Sequence, residues 1–463
     1  MSQTIGNSLR AFIVALSFIL FSCGSPENPP DIQRIVLVTI DTLRTDHLSL
    51  YGYPRETSPF IDSLGKSGVV FDRVYTSMPT TVPSHASLFT SRYPLQHGIR
   101  KNGHKLNSDQ LTLAEVMRDN GFVTAAFPSV WFITASGLNR GFDVVGAPPR
   151  PEQGQEIYRG AQETVSTVIG WLNETSASDK LFIWVHLFDP HGPLRPPNEQ
   201  LNEILSLKDE QKMVPFLTKV QKIEPEVHGG KNEMLSFVNK YDAEVRYVDT
   251  QLKRLYDTLL RYDGETLWII TADHGEGLGT HHWKGHGSRL YNEQLRVPLI
   301  FHSTTGRFPP ARIDALAEDI DVFPTLVDLL NLKVDVIPDS FGCSLYPYLV
   351  EGGEKYCEKS FAFSERRAFS NPRNDHEKGQ RFAIQSSDLK IINTIPGQEQ
   401  VFDMTSDPYE QKKLAKPAWP EATSALRQEM RQRLEFLLKN AAQEAELVDE
   451  DVMNNLRSLG YIQ

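Results

Sequence analysis

Three short apolar runs, each ending in side chains able to hold a metal ion, constrain this chain more than anything else in it. Arg34 leads into IVLVTI, which ends at Ile40 and is followed by Asp41. LFIWVHLF spans 181–188 and ends at Asp189-Pro190-His191-Gly192, and LWIIT spans 267–271, just ahead of Asp273-His274-Gly275. Apolar runs without polar alternation read as strands buried on both faces, as in a parallel sheet. A single Asp after a strand is usually a turn former. Three such ends carrying carboxylates and imidazoles point instead to a site, because ligands of open α/β sheets bind beyond the carboxyl ends of the strands.

The stretches between these runs have helical character. TSPFIDSLGKSG has Thr57 or Ser58 near a cap, and LTLAEVMRDNGF has a Thr112 cap and a Gly121 stop. IYRGAQETVSTVIGWLNE and YDAEVRYVDTQLKRLYDTLLRY are amphipathic at helical spacing, and FVTAAF is a further strand. The stretch 198–239 is polar and is expected to be an irregular insertion over one face. Alternating strands and helices predict an α/β fold with a doubly wound, mostly parallel sheet. From about residue 350 the pattern changes to the short strands FAFSE, RFAIQSS, LKIINT and QVFDM, then a helix over about 421–446. That predicts a small C-terminal α+β antiparallel subdomain, in keeping with a chain of 463 residues.

At the N-terminus Arg10 precedes AFIVALSFILF, an apolar segment too short to span a bilayer comfortably, which ends in small residues around Cys23. It resembles a bacterial lipoprotein signal over 1–22, with lipidation of Cys23 and a proline-rich tether over 23–33. The expectation is an exported protein held on a membrane by a lipid anchor, facing the periplasm or the cell exterior. Cys343 and Cys357 are the remaining cysteines, and spacing alone leaves their pairing open. A net charge of −11 with no large Lys/Arg cluster excludes non-specific nucleic-acid binding.

The segment MPTTVPSHASLFTSR, 78–92, adds a hydroxyl. Proline suits a first helical position, so Pro83 places Thr81 just outside a helix N-terminus. Free amides and the helix dipole favour anions there. By itself Thr81 reads as an ordinary threonine beside a helix start.

Taken together, IDTLR, TVPSHASLFTSR, FDPHGP, ADHGEGLG, GHG and LRVPLI, with VFDMTSDPYEQKKLA near the end, resemble the sulfatase family of the alkaline-phosphatase superfamily. The resemblance runs from Arg34 to the C-terminal LRSLGYI and keeps the order of the motifs. It implies an alkaline-phosphatase-like sheet, a catalytic domain over 34–345 and a C-terminal subdomain over 346–463. Sulfatases carry Cys or Ser in C-x-P-x-R, oxidised to formylglycine. Thr81 stands in that slot and His85 in the arginine slot, and threonine cannot give the aldehyde because its β-carbon already bears a methyl. Superfamily members with a metal-bound Thr nucleophile act on phosphorus.

The resemblance implies one divalent ion held by Asp41, Asp273, His274 and the Thr81 oxygen. Asp41-Thr42 and Asp273-His274 replace the family's Asp-Asp and Asp-Asn pairs. An imidazole in place of an amide favours Mn²⁺ or Zn²⁺ over Ca²⁺ or Mg²⁺. A second ion at Asp189, His191 and His286, as in the phosphodiesterase branch, is the less favoured arrangement. His191 and His286 are implied to contact the substrate oxygens or protonate the leaving group. Arg44, Asn102 and Lys284 are candidates for binding the substrate anion, and His281 and His282 read as loop residues. The expected activity is a metal-dependent ester hydrolase or transferase on an anionic ester, with a phosphate mono- or diester favoured. A sulfuric ester hydrolase and a non-catalytic anion- or glycan-binding protein are the alternatives. Oligomeric state is not readable.

Overall fold

The computed structural model of the chain describes residues 32–152, 158–176, 179–334, 340–350, 353, 357–369, 379–395, 398–416 and 419–458. The leader, Cys23 and nearly all of the tether lie outside these residues. In chain order the strands are β1 (Ile32–Ile40), β2 (Val69–Tyr75), β3 (Val123–Pro128), β4 (Val144–Val145), β5 (Leu181–Leu187), β6 (Glu265–Ala272), β7 (Gly277–Leu278), β8 (Lys284–Gly285), β9 (Arg296–Ser303), β10 (Ala311–Glu318), β11 (Ala362–Arg366), β12 (Gln380–Gln385), β13 (Leu389–Ile395) and β14 (Gln398–Asp403).

Among the described residues the central sheet has eight strands in the order β10-β2-β9-β6-β1-β5-β3-β4. The stretch from β6 to β4 is parallel, and β9 is antiparallel to both of its neighbours. Every residue of β5 and β6 is buried, as is all of β1 except Gln33. Successive side chains point to opposite faces, so both faces of these strands are covered. The fold is therefore the mostly parallel α/β sheet that the apolar runs predict.

The three runs are also neighbours in space. Ile40 pairs with Leu187 of β5 and Ala272 of β6, and the Asp41 N–H donates to the Leu187 carbonyl at 2.9 Å. In a parallel sheet equal register brings the ends together. Asp41, the Asp189 loop and Asp273 therefore emerge along one edge of the sheet.

β11 to β14 form a separate antiparallel sheet, and the helix Ala422–Lys439 packs on it through Leu426, Met430, Leu434 and Leu437. This helix ends at Lys439 instead of running to 446. The chain then returns to the main domain, where the Ala445 and Val448 N–H groups donate to the Gly98 and Gly103 carbonyls. Val452, Met453 and Leu456 of the helix Glu450–Ser458 join the main core. Gly103 has φ +89°, and a Cβ there would stand 2.7 Å from Met453 Sδ, so glycine suits this approach on both counts.

The expectation of an irregular insertion over 198–239 is corrected. Helices run over Asn198–Ser206 and Glu210–Lys219, and a third begins at Lys231 and continues to Leu259. The polar composition belongs to their exposed faces, while Gln200, Ile204, Met213, Leu217, Met234 and Val238 turn inward. Cys343 and Cys357 are disulfide-bonded, with Cα atoms 5.7 Å apart, which answers the question their spacing left open. Closing a loop of this length stabilises by about 3 kcal/mol in the chain-entropy model. Cys343→Ala is therefore expected to lower the denaturation midpoint under oxidising conditions and to change nothing under reducing ones.

Candidate active site

Thr81 is the first residue of the helix Thr81–Thr90, with Thr80 as its N-cap residue, so the helix starts two positions earlier than Pro83 suggested. All ten residues of this helix are buried. Three contacts fix its start against the strand ends. Ser84 Oγ donates to the Asp273 carbonyl at 2.7 Å, and the Val82 N–H donates to Asn102 Oδ1 at 2.9 Å. The third is a relay: Trp184 Nε1–H donates to Thr39 Oγ1 at 3.0 Å, and Thr39 Oγ1 lies 2.9 Å from His85 Nε2. His85 Nδ1 lies 2.8 Å from the Thr81 carbonyl, which only accepts, so this nitrogen carries the proton and Nε2 accepts from Thr39.

This construction places the Thr81 hydroxyl 3.4 Å from His274 Nε2. His274 Nε2 is in turn 3.4 Å from Asp273 Oδ2 and 3.8 Å from Asp41 Oδ1. The other nitrogen, Nδ1, donates to the Gly275 carbonyl at 3.0 Å, so the Nε2 lone pair faces the two carboxylates. Asp41, Asp273 and His274 form one group whose ligand atoms lie within 4.8 Å of one another.

The electrostatics of this group call for a cation. Both Asp41 oxygens and Asp273 Oδ2 are buried without a hydrogen-bond donor. Burial, then the charges of Asp273 and Glu276, push the Asp41 carboxyl well above its usual range, and burial raises Asp273 as well. Uncompensated buried carboxylates cost several kcal/mol each, and a divalent ion removes that cost. The residues present therefore fit a metal ion. Thr42, which follows Asp41, is a β-branched residue with φ 56°. Its carbonyl accepts from Tyr241 Oη at 2.7 Å and its N–H donates to Asp273 Oδ1 at 3.3 Å. Strain at such a turn persists where the surroundings impose it, and here those surroundings hold Asp41 in place.

His191 and His286 stand beside this group. Their rings are 5.0 Å apart between centroids, and the His286 ring is 4.4 Å from that of His274. His191 Nδ1 donates to the Gly192 carbonyl at 2.7 Å, and burial lowers its pKa to about 3, so it is neutral. Burial lowers His286 too, but Glu276, 3.2 Å from its Nδ1, outweighs that and raises it.

Several candidates take other places. Arg44 is wholly buried, with Nε and Nη2 on Asp46 and Nη1 on the Glu276 carbonyl and Thr280 Oγ1. It braces the loop after β6 instead of presenting its donors to a substrate. Asn102 pins the start of the Thr81 helix, and His85 reaches the Thr81 carbonyl, not its hydroxyl. Lys284 is exposed and packs over the Phe237 ring at 4.9 Å. Asp189 turns away from His191 and His286: its Oδ2 accepts the Ala161 N–H at 2.8 Å, and it lies against Glu244, where burial raises both carboxyls. Among the described residues the groups able to hold an ion do not include Asp189, His191 and His286, so the second-ion arrangement read from the strand ends is not assembled.

His281 and His282 are loop residues with φ 54° at both positions. His282 is exposed, whereas His281 is embedded, bonded to Glu293 Oε1 at 3.0 Å and to the Glu410 carbonyl at 2.9 Å. Burial lowers its pKa, but Glu293 and Glu410 outweigh that and raise it to about 9. A raised folded-state pKa means the pair's contribution is complete below the unfolded value of about 6.5 and is lost as pH climbs through about 9. Thermal unfolding of wild type is therefore expected to drop in midpoint between pH 7 and pH 9.5. His281→Gln flattens that dependence, and an unchanged slope would refute the assignment.

The sequence reading missed three contributors. Glu276 gave no signal beyond its place in ADHGEGLG, and Tyr241 acts from a distant helix. His186 did leave a trace, as an imidazole within the otherwise apolar β5 run. It is wholly buried, with Nε2 3.6 Å from Asp41 Oδ2.

With this geometry established, comparison with known proteins is informative. The family model described as Sulfatase matches residues 33–332. The chain is 23% identical to an arylsulfatase of Clostridium perfringens, over 92% of this chain and 98% of that protein. Its fold resembles a phosphonate monoester hydrolase of Agrobacterium radiobacter, with a TM-score of 0.70, 22% identity and coverage of 88% and 95% of the two chains. It also resembles a protein crystallised with its substrate D-glucosamine-2-N,6-O-disulfate, with a TM-score of 0.72, 20% identity and coverage of 89% and 99%. Given a family model that spans well over half of its length, the chain belongs to the sulfatase family.

Proposed function

We propose that this member of the family is a metal-dependent hydrolase or transferase of phosphate mono- or diesters, with Thr81 as its nucleophile. The observation that carries the reading is the Thr81 hydroxyl at a buried helix N-terminus, 3.4 Å from His274 beside Asp41 and Asp273. When bound by Asp41, Asp273 and His274, a divalent ion lowers the hydroxyl pKa and polarises the substrate oxygen. Thr81 Oγ1, its proton released to solvent as its pKa falls, then bonds to phosphorus as the bond from phosphorus to the ester oxygen breaks, leaving a phosphorylated Thr81. His286, held by Glu276, gives the departing alkoxide its proton. Water, or an acceptor alcohol, releases the phosphoryl group and restores the hydroxyl. Imidazole in the ligand set favours Mn²⁺ or Zn²⁺.

A sulfuric ester is the second reading, supported by the arylsulfatase relative. Against it stands the methyl on the Thr81 β-carbon, which bars the formylglycine route. The decisive assay offers metal-reconstituted protein an aryl phosphate, a phosphate diester and an aryl sulfate. Turnover of a phosphorus ester is expected, and turnover of aryl sulfate alone would overturn the reading. Chelation followed by dialysis is expected to abolish activity, with Mn²⁺ or Zn²⁺ restoring it better than Ca²⁺.

The proposal extends to location. The lipoprotein-like start and the Cys343–Cys357 disulfide, a bond of oxidising compartments, both support export with an anchor at Cys23. Cys23→Ser is expected to shift the protein from the membrane to the soluble fraction. Equal membrane recovery of both forms would refute the anchor.

A further inference from the structure

Arg44, Asn102 and Lys284 take other places, so the rest of an anionic ester held at Thr81 must meet different side chains. Three contacts show which segments flank the one that delivers Thr81. On one side Asn102 Oδ1 accepts the Val82 N–H at 2.9 Å. On the other side runs β11, where Ser364 Oγ donates to the Thr76 carbonyl at 2.7 Å and the Glu365 N–H to the Ser77 carbonyl at 2.8 Å. The two flanks also meet, with Arg100 Nη2 3.5 Å from Glu365 Oε2. The loop 100–102 and the end of β11 therefore stand as two walls about residues 76–82.

Both walls carry cations. Lys101 precedes Asn102, Arg367 follows the last residue of β11, and both side chains are half-buried. Among the described residues neither forms an ion pair; Arg367 Nη1 donates to the Ala368 carbonyl at 3.1 Å, and its guanidinium rests over the Phe369 ring. Arg100 Nε and Nη2 are buried without a hydrogen-bond acceptor. Burial, then the charge of Arg367, lowers the Lys101 pKa, with Glu444 opposing and Arg457 adding to it. Burial lowers Arg367 too, with Glu444 opposing and Arg100 adding. The acids that face this group do not neutralise it. Glu365 lies against Arg100 alone, and the largely exposed Glu444 lies 3.4 Å from His104. Arg457 is bonded to Glu450. In a chain of net charge −11, cations gathered without counter-ions are not a general feature of the surface. Crowded like charges disfavour their own charged forms, and a bound anion reverses that.

We propose that Lys101 and Arg367, with Arg100 behind them, form a subsite for a second oxyanion, so that the ester split at Thr81 carries a further anionic group on its alcohol portion. It rests on the phosphate-ester reading above and narrows its substrate class. A guanidinium fork beside an ammonium suits an oxyanion, the first by paired hydrogen bonds and the second as a point charge.

The test is binding of ligands that cannot be hydrolysed. Zn²⁺-loaded protein is titrated calorimetrically with phenylphosphonate, 4-carboxyphenylphosphonate and 1,4-phenylenebisphosphonate. Wild type is expected to bind at least one of the two doubly anionic ligands about tenfold tighter than phenylphosphonate. Whichever of them gains identifies the oxyanion that the subsite takes. Lys101→Gln combined with Arg367→Gln is expected to bring the ratio to about one, whereas Lys105→Gln, which removes an exposed lysine outside the subsite, keeps it. If the double variant misfolds, as judged by circular dichroism, Lys101→Gln alone serves and is expected to lower the ratio. A ratio of about one in wild type, an undiminished ratio in the folded variant, or an equal loss in Lys105→Gln overturns the subsite and leaves the Thr81 site intact. Failure of all three ligands to bind overturns the phosphate-ester reading and the subsite with it.

Discussion

Thr81→Ala is expected to cut ester turnover by about 10⁴-fold or more while leaving the fold and bound metal in place. The change removes the hydroxyl and one methyl, and the helix start stays pinned by Asn102, Ser84 and His85, none of which bonds to Thr81 Oγ1. Thr81→Ser keeps a hydroxyl at the same place and is expected to retain most activity. Rapid-quench capture of a phosphorylated residue with the serine or wild-type protein, absent in the alanine variant, would identify the nucleophile. A Thr81→Ala protein with full activity would sink the assignment whatever the substrate.

The second large effect concerns Asp41, whose two orphaned oxygens face both histidines. Asp41→Asn should reduce activity by about 10³-fold through loss of metal. Without metal, however, the same change should raise stability, by about 1–3 kcal/mol, because it deletes a buried charge beside Asp273. The pH dependence fixes the sign. Burial and the Asp273 charge raise the folded-state pKa of Asp41 above the unfolded value of 3.8, so the folded state holds the extra proton between the two. Metal-free wild type therefore loses stability as pH rises from about 4 upward, and Asp41→Asn removes part of that loss. Metal, which displaces the proton, stabilises wild type and has little effect on the variant. Scanning calorimetry with and without Zn²⁺ reads both effects. A variant destabilised in the absence of metal would show that Asp41 is paired in a way the geometry does not provide.

Much of the fold was legible because apolar pattern acts locally. β1, β5 and β6 announced themselves as uninterrupted apolar runs, and the Thr112 and Glu115 capping box marks its helix as expected. The 198–239 region misled because its helices bury only a narrow stripe, which polar composition hides. The grouping of Asp41, Asp273 and His274 followed from chemistry at strand ends together with the family resemblance. Arg44 and Asn102 looked like substrate contacts, since a charge or an amide near a motif carries no label for its direction. In the folded chain Asp46 and Val82 claim them.

What the sequence determined by itself was the sheet, the three strand ends and a hydroxyl residue beside a helix start, because each depends on side chains close together in the chain. Only the tertiary structure decided which strand ends are neighbours, that Asp189 faces Ala161 and Glu244, and that His186 stands opposite His274 across Asp41. Those outcomes depend on strand order, register and helix packing, which bring together side chains some 30 to 230 positions apart. Spacing along the chain holds no record of such pairings, so the second histidine became visible only once β5 lay beside β1.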